Sequence, residues 1–151
     1  MIRFPLTIRL DASDTHVFER AAEAGEWAIP GSFVFSSLGA EAALSGKMAR
    51  AFKSGFLGLA SFGWSTLVEV AEMPDEDYET LCNSLAMHFV ARYGAPDVAS
   101  ALPAARQEIE FAASLCEHPT GTIIAVERAL DDDGIKERFR VVASGISPAA
   151  P

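Results

Sequence analysis

Residues 122–143 constrain the fold more than any other stretch of the chain. Two β-prone runs, 122–130 and 135–143, flank the acidic segment DDDG. Such runs on either side of Asp-Gly predict a hairpin, because a tight turn needs positive φ angles that glycine adopts without a Cβ clash. With Asp133-Gly134 as the two-residue loop, Asp131 faces Lys136 and Glu127 faces Arg140. Opposite charges then meet across the strands, which favours that register modestly.

Further elements follow from periodicity. Ile2, Phe4, Leu6, Ile8 and Leu10 alternate with Arg3, Thr7 and Arg9, the period-two signature of a half-buried strand. Residues 11–25, DASDTHVFERAAEAG, open with cap-forming side chains and close on glycine, which predicts a short helix. Residues 27–35 read as extended, with a turn or bulge at Pro30-Gly31. A helix over 40–53 carries Leu44, Met48, Ala51 and Phe52 on one side, with Ser36 and Ser37 as its capping residues. From Phe56 to Val70 the even positions are mostly apolar, which predicts one long strand, bent at its glycines.

Pro74, Asp75, Glu76 and Asp77 mark a helix start, since proline suits the first turn and carboxylates oppose the positive end of the helix dipole. Tyr78, Leu81, Cys82, Leu85 and Phe89 continue that helix to Gly94. A second helix begins at Asp97 or Ser100, holds Pro103 in its first turn, and buries Ala105, Ile109, Ala112 and Cys116. The resulting class is α+β: one domain over residues 1–144, with an antiparallel or mixed sheet of about five strands and three to four helices mainly on one face. Residues 145–151 form a flexible tail.

A chain of 151 residues, half of them hydrophobic, supports one core without disulfide staples. Its net charge of −9 repels phosphate backbones and anionic membranes, so neither nucleic acid nor membrane is expected as a partner. Two cysteines and no signal-like N-terminus point to the reducing cytoplasm.

Residues 58–65, GLASFGWS, match the phosphate-loop pattern except that Trp64 stands in place of the lysine. Tryptophan supplies no charge, and the β-branched residues that follow predict a strand where a helix should begin. The stretch therefore reads as an aromatic-rich strand whose glycines admit a neighbouring backbone or a ligand. Asp11, Asp14 and His16 form a polar cluster able to hold a cation or move a proton, although helix capping explains the same residues. Cys82 and Cys116 read as small buried hydrophobes, and their spacing to His88 and His118 matches no zinc pattern. No metal or cofactor is expected. The six carboxylates between Glu69 and Glu79 serve mostly to start a helix.

Two functional readings follow. The first is a non-catalytic accessory module that binds a protein partner or a small-molecule ligand, as a homodimer. The second is a small-molecule enzyme with a pocket near Trp27, Phe62 and Trp64 and with Asp14 and His16 as its polar groups.

Overall fold

The alternation at the start of the chain becomes strand β1, Ile2–Ile8. It pairs antiparallel with β5, Leu67–Met73, from Ile2 opposite Met73 to Ile8 opposite Leu67. We describe a computed structural model over residues 1–36 and 46–144. Strand β6, Ile123–Asp131, pairs with β5, and β7, Gly134–Ala143, pairs with β6, giving the order β1-β5-β6-β7. A second sheet holds β2, Ala28–Ile29, then β3, Phe56–Gly58, and β4, Trp64–Ser65. The chain is thus mixed α+β, with two antiparallel sheets of four and three strands rather than one of about five.

The difference comes mainly from residues 56–70. The expected long strand is three strands, interrupted by a turn over 59–63. Its alternation survives on both sides of the turn, but two close tertiary contacts and one left-handed residue mark where the chain folds back. Gly58 lies so close to the Glu26 carboxylate that a Cβ there would sit 2.5 Å from Oε1. A Cβ on Gly63 would lie 2.6 Å from the Ala21 carbonyl carbon, so this glycine admits a neighbouring backbone. Phe62 adopts φ = +56°, alone in positive φ among the described non-glycine residues.

Five helices occur among the described residues. Helix α1, Ser13–Val17, is shorter than the predicted 11–25. Phe18 is extended, and beyond it the backbone bonds to β4 instead: Ala22 N donates to Trp64 O at 2.8 Å and Trp64 N to Arg20 O at 2.9 Å. Residues 27–35 are likewise only partly extended, since Gly31 turns at φ = +77° and α2, Phe33–Ser36, follows. Helix α3 is Gly46–Ser54, and the predicted start of that helix, with its Ser37 cap, lies outside the described residues. So does the predicted tail.

Helix α4, Asp75–Arg92, starts after Pro74 as its carboxylates predict. Helix α5, Val98–Ser114, is capped by Asp97, whose side chain accepts from Ser100 N at 2.7 Å. Pro103 is its sixth residue and lies beyond the first turn, so the helix tolerates a missing donor there. The two helices are tied on their exposed side by Arg106, which donates to both carboxylate oxygens of Glu79 at 2.6 and 2.9 Å.

The hairpin forms, but two residues out of the predicted register. Asp131 faces Gly134, so the turn runs through Asp132-Asp133 and Glu127 faces Arg138. Asp131 Oδ1 accepts from Asp133 N at 2.9 Å, and the positive φ of +110° falls on Gly134 as the first residue of β7. The Glu127–Arg140 ion pair nevertheless forms at 3.1 Å, diagonally across the strands.

Register also decides what becomes of Arg128. Ile124, Val126 and Arg128 share one face of β6, and the first two are buried with Val68, Val70 and Phe56. The Arg128 side chain is fully buried at the C-terminal end of α3. Its Nη1 donates to the carbonyls of Phe52 at 3.0 Å and Gly55 at 2.9 Å, its Nη2 to that of Pro30, and its Nε to Glu137 at 2.8 Å. Burial draws this guanidinium below its usual basicity, and the Glu137 carboxylate opposes that effect. A cation placed against the last carbonyls of a helix also meets the negative end of its dipole.

Candidate functional site

The turn over residues 59–63 is organised by one carboxylate. Glu26 Oε1 accepts from the amides of Ala60 at 3.0 Å and Ser61 at 2.8 Å. Its Oε2 accepts from Glu23 N at 2.6 Å and from the Ser61 hydroxyl at 2.7 Å. Glu26 is itself buried. Burial alone would raise its carboxyl, but the bonds from Ser61, Glu23 and Ala60 outweigh it and hold the group below the usual glutamate range. Next in the chain, Phe62 takes its left-handed conformation, an arrangement that persists only where the surroundings over-determine it.

That conformation carries the Phe62 ring to the imidazole of His88 on α4, with ring centroids 3.6 Å apart and planes 6° from parallel. Burial and the nearby Arg92 charge lower the basicity of His88. Tyr93 approaches His88 edgewise at 5.6 Å and is braced by Phe33 at 5.2 Å. These groups wall a cleft of about 820 Å³. Leu57, Val34 and the edge of Trp64 extend its apolar side, and Trp64 is held from behind by Phe35, stacked at 5.1 Å. Arg20 and Arg92 complete the lining, in which no carboxylate appears among the described residues. Arg20 is fixed by donating Nη1 to Ser61 O at 3.1 Å.

Of the residues singled out from sequence, Phe62 and Trp64 meet in this cleft and the others stand elsewhere. Trp27 packs edgewise on Phe4 at 6.1 Å, because its backbone bridges Leu6 on β1 and accepts from Leu59 N. Asp14 is buried with its oxygens occupied by Thr66, from Oγ1 at 2.6 Å and from N at 3.2 Å. His16 is exposed on α1. Asp11, also exposed, accepts from Ser13 N at 2.8 Å. The cluster read as DASDTH is therefore divided, with Asp14 turned inward and its two companions outward.

The sequence drew attention to none of Arg20, Arg92 and Tyr93, and to His88 only as a zinc ligand without a matching spacing. His88 and Arg92 stand at i and i+4 on α4, a spacing that places both on one face and that could have drawn attention to them. Nothing in the sequence marks the conformation of Phe62.

The cysteines are free and buried, and burial pushes the Cys116 thiol up to about 12, away from the thiolate form that a nucleophile needs. Among the described residues no three His, Cys, Asp or Glu side chains converge as a metal site, and no helix is long and apolar enough to cross a membrane.

An α+β chain with an aromatic, arginine-bearing cleft defines a class only by its geometry. The chain belongs to a family of unknown function (DUF6505), whose sequence model matches residues 1–147. No curated protein and no solved structure matches it.

Proposed function

We propose that the chain is a non-catalytic, cytoplasmic accessory module that binds a small molecule in the cleft between the 59–63 turn and the C-terminal end of α4. The observation that carries this reading is Phe62. A bulky residue in positive φ costs on the order of 1–3 kcal/mol, and here a buried carboxylate with four hydrogen bonds maintains it at a cleft wall. The ring is partly buried against the core and also forms part of the cleft wall, where a surface fixed in advance lowers the cost of ordering on binding.

The polar groups from which an enzyme would be assembled are committed elsewhere, Asp14 to Thr66 and His16 to the surface. A thermal-shift screen of metabolites should yield hits, and amide chemical shifts of Phe62, Trp64 and Tyr93 should move with them. Hits that leave these three residues unmoved, or a flat screen, would discard the reading.

Self-association is favoured by a separate observation, the outer edge of β7. At the other end of the sheet, β1 is covered where Thr7 exchanges hydrogen bonds with Gly25 and Glu26. The ten residues of β7 have no strand beyond them among the described residues, and Val141 and Val142 are 42% and 44% exposed. Antiparallel pairing with a second copy, centred on these valines, buries them and keeps Lys136 and Arg138 of the two copies apart. Light scattering is expected to give twice the chain mass of 16.1 kDa, reduced by Val141→Pro. A mass near 16.1 kDa at high concentration would remove the dimer.

A further inference from the structure

The charge of the cleft runs against the net charge of the chain, −9. The chain carries 21 acidic and 12 basic side chains, yet among the described residues two arginines and no carboxylate line this cavity. Arg20 is held in place by the carbonyl of Ser61. Arg92 is exposed, and among the described residues no carboxylate forms an ion pair with it. The same cavity is walled by a flat aromatic surface, the Phe62–His88 stack with the Tyr93 ring beside it. Guanidinium groups recognise a carboxylate through paired N–H donors, and aromatic rings of ligands settle on exposed π surfaces.

We infer that the ligand of this cleft is a small planar aromatic carboxylate, its ring against Phe62 and Tyr93 and its anionic group between Arg20 and Arg92. The inference rests on the ligand-binding reading above and adds the chemical class. A cleft lined by one sign of charge focuses its field on a ligand of the opposite sign, even in a protein of net negative charge. A neutral ring of the same shape keeps the stacking and loses the guanidinium contacts.

Calorimetric titration with 2-naphthoate and 2-naphthamide separates the two ideas. The carboxylate is expected to bind at least about tenfold more tightly than the amide at low salt, and the gap should narrow as salt rises. Arg92→Gln should bring naphthoate down to the level of naphthamide while leaving naphthamide unchanged. Because Arg92 is exposed, its circular dichroism and melting temperature should match the wild type, and Arg20→Gln provides a second, independent loss. Equal affinity for the two probes, or indifference of naphthoate to both substitutions, would overturn the anionic class and leave the cleft as a ligand site. If neither probe binds and the metabolite screen is flat, the inference and the reading beneath it fall together.

Discussion

Arg128→Ala is expected to lower the unfolding free energy by about 3–5 kcal/mol, the usual consequence of breaking a buried charged network by removing one partner. The side chain is fully buried and joins three parts of the fold: β6, the C-terminal end of α3, and the Pro30 turn. Its removal leaves the carbonyls of Phe52, Gly55 and Pro30 without this donor, and Glu137 without its cation. It also takes away the guanidinium that lies 5.4 Å from the Phe35 ring. For a chain of this size the melting temperature should fall by roughly 10 °C. Arg128→Lys should recover little of it, because a single ammonium cannot span acceptors spread over α3, Pro30 and Glu137. Chemical denaturation measures the effect, and a loss below about 1 kcal/mol would show that the network contributes nothing beyond its desolvation cost.

Glu26→Ala should cost about 2–4 kcal/mol, since the amides of Glu23, Ala60 and Ser61 lose a charged acceptor in a buried setting. Glu26→Gln is the more instructive change. Glutamine keeps the size but places an NH₂ donor where one carboxylate oxygen accepts, so it opposes donor to donor on one side. The folded carboxyl is held below the ordinary glutamate value of about 4.3, so its contribution is fully present above that value and is lost as pH falls through the lower folded one. Denaturation between pH 6 and pH 3 should therefore show the wild type losing part of its advantage over Glu26→Gln on acidification. A gap that stayed constant with pH would exclude a charged Glu26 as the organiser of the turn. The same variants should loosen Phe62, which hydrogen exchange at residues 59–63 would register as faster.

Patterns that depend on neighbouring residues were legible in the sequence. Alternation predicted β1, the Pro74 carboxylates predicted α4, and apolar spacing predicted both long helices. The hairpin was legible as an element but not in its register, because Asp132-Asp133 and Asp133-Gly134 both make a plausible two-residue loop. What selects the first is the Asp131 side chain bonding to the Asp133 amide, together with positive φ at Gly134. The strand over 56–70 failed for a different reason. Its alternation is real, and the turn within it depends on Glu26, a residue more than thirty positions away.

The candidate site shows the same division. Phe62 and Trp64 were visible as aromatic residues beside glycines, whereas His88, Arg92 and Tyr93 reach them only because α4 packs against that turn. Asp14 and His16 are two residues apart, yet one is buried on Thr66 and the other exposed. On its own, the sequence determined the α+β class, the principal helices, the N-terminal strand and the presence of the hairpin, because these follow from local periodicity, capping and turn chemistry. The tertiary structure decided the split into two sheets, the burial of Arg128 and the shape and charge of the cleft. Each of these depends on a polar side chain meeting backbone groups or rings distant in sequence, and no local pattern encodes which of them it will meet.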